Sequence, residues 1–501
     1  MPSNNEQDGG LRSKSSDERT PLLADVEPIP IAESASPSQQ LDNQEDDAGE
    51  NEEGNEAEEE TPAPRSQIFW LCYTAVVEPI AFFGIFPYIN FMIEKVGNVP
   101  KEEVGFYSGL IESLFSATQM CVLMLWGKAS DRYGRKPPLI ISLVGVAISM
   151  ALFGMSQSLW QMIAMRCLAG VFAGTVVTVR AMLSENSTRS TQAMAFSYFA
   201  FSRNLGLFIG PLLGGALETP AAKYTRTFGK IQFFHNFPYA LPGIATGLVA
   251  LSAALTTTFF VKETLHTHTD KRATDESSMS TWQLLKHPGV ARVILIYNYV
   301  MMLAFTYTAV NPVFMYTPVR LGGIGFTPEL IAIFVALSGG SQAVWLLLVF
   351  PRLHKRVGTQ DVLYYCAYAW PLFFASSVLF NTLLRHRLKA AFWATAPLTL
   401  VLGSGVALSF TAVQLAVNDI APSQESLGTL NAIVLIGQSG LRAVAPALAT
   451  SIYAAGVKYH ILGGHLFWLI LVTLAFGLSG LLRLLPEKVA GKLNQAHNSR
   501  A

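Results

Sequence analysis

The sequence predicts an all-α membrane protein of twelve transmembrane helices in two pseudo-symmetric six-helix bundles. Three observations predict it. Of 501 residues, 51% are hydrophobic and only 14% are charged, where a soluble chain carries about 25% charged residues. Twelve apolar stretches reach the roughly 20 residues that cross a hydrocarbon core. One long polar connection, 262–289, divides them six and six. Nothing shows the apolar–polar alternation of a membrane barrel, so helices must satisfy the backbone in lipid.

The stretches run at 68–93, 105–126, 137–156, 159–182, 193–217, 237–261, 290–317, 326–350, 361–384, 390–417, 427–453 and 464–485. They place a first bundle at 67–261, a linker loop at 262–289, a second bundle at 290–485 and a short tail at 486–501. Residues 1–66 hold 18 Asp/Glu against 4 Lys/Arg. This segment cannot bury enough apolar surface to offset its ordering entropy, and it reads as a disordered acidic tail. It lacks the short apolar core of a signal peptide. Lysine and arginine gather in the even-numbered loops, densest at Lys128, Arg132, Arg135 and Lys136, which places both termini in the cytosol. Arg320, Arg385, Arg387 and Lys389 sit on the other side and weaken that bias.

Few charges lie deep in the spans: Glu78, Glu112, Arg166, Arg203 and Arg442. Each costs about 2.5–3.5 kcal/mol at mid-bilayer by insertion scales, so each must face a partner or a wet cavity. Glu112 and Arg166 both stand seven residues in from the same end, roughly 10 Å deep at the helical rise, and an ion pair between them is expected. Glu78 lies near the middle of the first span, and Pro79 after it removes a backbone donor and loosens the helix. A carboxylate at such a break suits a group that loads a proton at one face and releases it at the other. A static Glu–Arg packing pair is the alternative for Glu78, Glu112 and Arg166. Arg203 is read as a helix-packing partner or a substrate contact.

A repeat links the halves. PRLHKRVG (351–358) falls where GKASDRYG (127–134) falls in the first half, and AVNP (309–312) echoes AVVEP (75–79), with Asn311 at the place of Glu78. Glycines also recur: Gly206, Gly210 and Gly214 stand four apart in the fifth span, beside Pro211 and Gly215. Small residues at that spacing let another helix approach closely. Asn204, Tyr307, Asn311 and Gln414, with the aromatics Phe82, Tyr88 and Tyr297 and with Asn298, are candidate polar and aromatic contacts for an amphipathic molecule, since such pockets are mostly apolar with a few polar anchors.

The loop GKASDRYGRK (127–136), between two spans, resembles the signature between helices 2 and 3 of the major facilitator superfamily. MRCLAGVFAGTVVTVRAML (165–183), with Arg166 shortly before a glycine, resembles that family's helix 4 motif, and SRNLGLFIGPLLGGAL (202–217) resembles the helix 5 motif of its antiporters. VVEPIAFFGIFPYINFMI and FPYALPGIATGL are similar to a chiefly fungal group of drug:proton antiporters and to the plant zinc-induced facilitator-like transporters.

The resemblance, over about 66–485, implies the major facilitator fold, whose halves rock about a midplane site. For Arg166 it implies a role in proton transfer or in holding a coupling carboxylate, which joins it to Glu78 and Glu112, the proton-coupling candidates by their place in the spans. It implies gating by Gly127, Asp131, Arg132, Gly134, Arg135, Lys136 and Glu185 together with Gly206, Gly210, Pro211, Gly214 and Gly215. In that scheme Asp131 caps the start of helix 11 near Leu427 and Arg135 pairs with Glu185, and the two contacts hold the halves shut. Arg203, Asn204, Asn311, Tyr307 and Gln414 are then substrate contacts.

The expected function is secondary active export of small amphipathic organic molecules, such as drugs, toxins, metabolites or chelators, in exchange for protons, through competition between substrate and proton near Glu78. An importer of the same fold and a non-transporting sensor are the alternatives. No enzymatic constellation and no P-loop is visible, so the expected energy source is a proton gradient, with no cofactor and no metal. The expected partners are a small molecule, protons and the lipid bilayer, without nucleic acid, around a monomer.

The membrane is the plasma or the vacuolar one; ERTPLL (18–23) fits an acidic dileucine sorting pattern. Asn186 fits a glycosylation site and is expected to stay unmodified inside. His266 and His268 read as bystanders, and Cys72, Cys121, Cys167 and Cys366 as small packing residues.

Overall fold

The computed structural model describes residues 65–187, 191–265, 281–422, 424–486 and 489. Almost all of the acidic tail and the C-terminal tail, and the His266 and His268 pair, lie outside the described residues. The described residues form helices and no strand.

The first bundle is built from α1 (Arg65–Phe83), a short α2 (Ile89–Lys95), α3 (Val104–Tyr133), α4 (Lys136–Gly154), α5 (Leu159–Phe172), α6 (Thr175–Glu185), α7 (Gln192–Leu217), two short surface helices α8 (Pro220–Lys223) and α9 (Gln232–Asn236), and α10 (Ala240–Phe260). After a short α11 (Thr281–Lys286), the second contains α12 (Val290–Tyr316), α13 (Pro328–Val344), α14 (Phe350–Arg385), α15 (Lys389–Gly403), α16 (Leu408–Ile420), α17 (Gln424–Lys458) and α18 (Leu466–Leu481).

Ten stretches among the described residues are long and apolar enough to cross a membrane. Twelve crossings result, for two physical reasons. Pro328–Arg385 is 58 residues long, about 87 Å at the helical rise, against a core of about 30 Å. It turns back at Gly358, whose φ of 80° and ψ of 176° are not helical. The other crossing is α7, 26 residues long, in which Arg203, Asn204 and the glycines dilute the hydropathy. Large apolar side chains such as Leu125, Trp160, Leu248, Leu372 and Phe476 are exposed on the outer surface. In water such a surface would aggregate; in lipid it is solvated.

The two bundles repeat each other in detail. In the first, α1 packs on α7, α3 on α5 and α4 on α10; in the second, α12 packs on α17, α13 on α15 and α14 on α18. Pro79 lies inside α1 and Pro312 inside α12, each four residues from the helix's last residue. Gly134 (φ 96°) and Gly358 (φ 80°) end corresponding helices in the left-handed region that favours glycine. The fourth crossing breaks between α5 and α6, and the tenth breaks between α15 and α16 in a 3-10 turn, Ser404–Ala407. The indole of Trp126 donates to the carbonyl of Val171 at 2.7 Å beside the first break. Trp345 donates to Val401 at 2.8 Å beside the second. The bundles meet along two seams, α3 with α17 and α7 with α13.

Candidate transport site

Glu78 is 6% exposed. Pro79 cannot donate to the helix, and the chain unwinds a turn later, from Gly84 to Tyr88, before α2 begins. The Glu78 Oε1 accepts a hydrogen bond of 3.0 Å from Nε2 of Gln119 on α3, and its buried Oε2 has no partner. The same Gln119 amide nitrogen donates to the carbonyl of Ala173 at 2.9 Å. Ala173 sits at the α5–α6 break, where helical bonding lapses and carbonyls are freed. Side chains take them up. Trp126 serves Val171, Ser142 Oγ donates to Phe172 at 2.5 Å, and Gln119 serves Ala173. Gln119 has no signature in the sequence, because a neutral amide in an apolar span does not stand out as a charge does.

Arg166 is fully buried on α5. It does not form the expected ion pair with Glu112. Its guanidinium carbon lies 4.4 Å from the ring centre of Phe115 and 5.9 Å from those of Phe82 and Phe153. Aromatic faces attract the cation and occupy the space a carboxylate would need. Nη1 also reaches Met150 Sδ at 3.9 Å, while Nε and Nη2 have no partner. Glu112 stays within electrostatic reach of both Arg166 and Arg442.

Arg442 crosses from the second bundle. Its guanidinium carbon stands 4.4 Å over the ring of Phe82, and its charge also reaches Glu78 and Arg203. Arg180 and Arg203 each stand 5.8 Å from the ring of Phe199. Arg166 and Arg442 thus share Glu112, Arg442 also reaches Glu78, and Arg203 and Arg180 follow behind Arg442, four guanidiniums and two carboxylates in one linked set.

The loop at 127–136 differs from expectation. Asp131 does not cap the helix that begins at Gln424. Its side chain is 66% exposed and pairs with Arg135 at 2.5 Å, one helical turn away. Arg135 also binds Glu185 at 2.7 Å. Both contacts lie inside the first bundle, so neither joins the halves in this conformation. A carboxylate does cap a helix here, but it is Glu263. Its oxygens accept from the backbone N–H groups of Arg135 at 2.7 Å and Lys136 at 3.0 Å, at the start of α4. Partial burial opposes ionisation of Glu263, but the backbone donors of Lys136, Leu265, Arg135 and Thr264 outweigh it and hold its carboxyl below the usual range. Gly134 supplies the turn beside it. Gly127 has open space around it, and Arg132 leans over the Tyr133 ring at 5.5 Å.

Polar contacts join the bundles at the opposite end. Lys223 binds Glu218 at 2.7 Å and Glu329 of the second bundle at 2.6 Å. Lys458 binds Glu103 at 2.9 Å, and Tyr316 donates to Glu94 at 2.6 Å. Ser113 accepts from the Ala447 backbone at 2.8 Å. The bundles are closed together at this end. None of these pairs follows a spacing that sequence alone could flag.

The remaining candidates divide. Gly206, Gly210 and Gly214 press the backbone of α7 against α1 at Val76, Pro79 and Ile80 and against Gly84 just beyond its end, beside Glu78, and Pro211 lies among them. Gly215 alone of this set faces the second bundle, at Ala332. Arg203 leaves a buried Nη1 unpartnered. Asn204 donates back to Ala200 at 3.1 Å and Gln414 donates to Asn431 at 2.9 Å. Tyr307 is packed against Phe373, Phe374 and Trp468 inside the second bundle, away from the first. Asn311 shares the turn of α12 that carries Pro312, as Glu78 shares that of Pro79.

Paired helix bundles, joined along two seams and sealed at one end over buried charges, define a multi-pass membrane transporter. The chain belongs to the Major Facilitator Superfamily, whose profile matches residues 71–446. It is 48% identical over 435 residues to "Efflux pump azaK" of Aspergillus niger, covering 86% of this chain and 90% of that one. It is 26% identical to "Protein ZINC INDUCED FACILITATOR-LIKE 1" of Arabidopsis thaliana, covering 78% and 84% respectively. Among solved structures, a D-xylose-proton symporter superposes with a TM-score of 0.64 at 12% identity, over 85% of this chain and 99% of that one.

Proposed function

We propose that this transporter exports small amphipathic organic molecules from the cytosol in exchange for protons, with Glu78 as the coupling carboxylate. The observation that carries the reading is the buried Glu78, with one oxygen held by Gln119 and the other free, beside two helix breaks. Such a group has somewhere to put a proton and moving parts to report it to. Arg442 faces it from the other bundle, so a change of charge at Glu78 alters the attraction between halves. The glycine face of α7 lies on the same stretch of α1 and gives that stretch room to shift.

The export direction is supported by the likeness to azaK, a protein named as an efflux pump, and by the antiporter-type glycine pattern. Loop charge supports cytosolic termini in a plasma or vacuolar membrane. Four guanidiniums against two carboxylates disfavour a permanently cationic cargo.

The cycle follows from competition. Substrate enters from the cytosolic side while Glu78 is ionised, the bundles rock, a proton binds on the far side as substrate leaves, and the protonated carrier returns. One charge crossing 100 mV supplies about 2.3 kcal/mol, to which a pH gradient adds. Inside-out vesicles test this. Acidifying their interior drives substrate uptake if exchange operates, and uptake that instead runs downhill together with protons overturns export by exchange.

A further inference from the structure

We propose that Gln119 is a positioning residue that ties the charge state of Glu78 to the break in the fourth crossing. The inference rests on the reading of Glu78 as the coupling carboxylate and adds the route by which its proton acts.

One amide nitrogen serves two acceptors on two different elements. It donates to Glu78 Oε1 at 3.0 Å on α1 and to the Ala173 carbonyl at 2.9 Å between α5 and α6. Gln119 is 8% exposed, so water does not readily replace either bond. An ionised carboxylate only accepts hydrogen bonds, and a protonated one must also donate. With Glu78 ionised, the amide nitrogen is the group it requires, and the bond is charge-assisted. With Glu78 protonated, its O–H requires an acceptor; at Oε2 it would be buried without a partner, so the carboxyl turns the O–H toward Gln119, where the nearby acceptor is the amide oxygen.

Meeting that demand turns the amide over, and its nitrogen leaves Ala173. The carbonyl at the break then has no donor, which is costly for a buried backbone group. The break is thereby relieved by moving. Arg166 lies on one side of it and Arg180 and Glu185 on the other, so motion there changes the angle between the aromatic cage and the 127–136 loop. The neighbours at Val171 and Phe172 have the side-chain donors Trp126 and Ser142, so the rearrangement starts at Ala173 and spreads from there to the next amides, of which Gly174 donates to the Phe172 carbonyl at 2.8 Å and to Ser142 Oγ at 3.3 Å. The charge that faces Glu78 comes from another element, Arg442 on α17, which also interacts with Glu112 on α3 and Arg203 on α7, and Arg203 in turn with Arg180 on α6.

Hydrogen exchange on purified wild-type protein across a pH series tests this, with site-resolved protection at Gly174 and Thr175 corrected for intrinsic chemistry. The expected result is a loss of protection of about tenfold on acidification, in line with one lost charge-assisted bond. Gln119→Met, nearly the same size but without donors, is expected to be unprotected at every pH, as is Glu78→Gln. Protection that does not change with pH in the wild type, or a Gln119→Met variant that keeps the wild-type change, overturns the inference.

Transport separates it from the parent reading. Gln119→Met is expected to lower kcat about tenfold and flatten its pH profile with KM for cargo within about twofold, again the loss of one such bond. If Glu78→Gln abolishes proton-driven transport while Gln119→Met keeps the wild-type pH profile, this inference fails and the coupling role of Glu78 stands. If Glu78→Gln keeps full pH dependence, the coupling role itself fails.

Discussion

Arg442 of α17 stacks on Phe82 of α1, its guanidinium carbon 4.4 Å above the ring centre, and so reaches from one bundle into the other within electrostatic reach of Glu78. Phe82 itself is 3% exposed and also tilts against Phe115, part of the Arg166 cage. A cation held by a ring face is held without neutralising it, so it stays responsive to Glu78. Arg442→Gln removes both the stacking and the field, worth about 2 kcal/mol when desolvated. The expected outcome is at least about a tenfold fall in transport at equal protein in vesicles, with partial recovery in Arg442→Lys.

Lys223 gathers two carboxylates, Glu218 and Glu329, and only Glu329 belongs to the second bundle. Burial opposes the Lys223 charge, but the two carboxylates outweigh it and raise its pKa. It therefore stays protonated across the physiological range. Lys223→Met leaves Glu218 and Glu329 facing each other at the seam, which repels. Ala332 lies in that seam, 3% exposed. A cysteine placed there, Ala332→Cys, is expected to react with an impermeant maleimide several times faster when combined with Lys223→Met. Equal rates in the two backgrounds would show that this cluster does not hold the seam.

Asp131 is exposed and pairs with Arg135, and an exposed pair of this kind contributes about 0–1 kcal/mol. Asp131→Asn is therefore expected to leave folding and membrane insertion intact. The expected effect is on a conformation with the loop end closed, in which Asp131 would meet the start of α17, where a carboxylate is favourable by about 0.3–1 kcal/mol. Transport in vesicles with equal protein should drop strongly. An unchanged rate removes that contact from the cycle.

Glu263 caps α4 with its carboxylate, and its pKa is held down in the folded protein. Its contribution is fully present above the unfolded value, about 4.3, and is lost as pH falls through the lower folded value. Glu263→Gln is expected to destabilise the detergent-solubilised protein by about 1 kcal/mol at neutral pH. The difference from wild type should shrink below about pH 4 as the carboxylate protonates. A gap between the two melting curves that persists in acid would place the effect in packing instead.

The spans, their division into halves and the buried charges were legible because lipid makes apolar length and stray charge conspicuous in a linear sequence. The repeat was legible too, through AVVEP and AVNP and through Gly134 and Gly358. Pairing was harder to read. Glu112 and Arg166 share a depth, which sequence gives, but depth says nothing about azimuth, and the rings of Phe115 and Phe82 stand where the ion pair was expected. Asp131 pairs with Arg135 in its own bundle rather than with the start of α17, because one sequence does not distinguish a partner one helical turn away from one in the other half. Gln119 and Lys223 were missed for a common reason: each acts by joining elements distant in the chain, and neither a neutral amide nor a loop lysine stands out by composition.

Proton-driven transport by Glu78→Gln, in vesicles with a set pH gradient, bears most directly on the role given to that carboxylate. The account predicts that the gradient no longer drives accumulation while substrate-for-substrate exchange continues, because a fixed neutral group still lets the bundles rock. Full pH-dependent accumulation in that variant would contradict it and move the coupling proton to Glu112 or elsewhere.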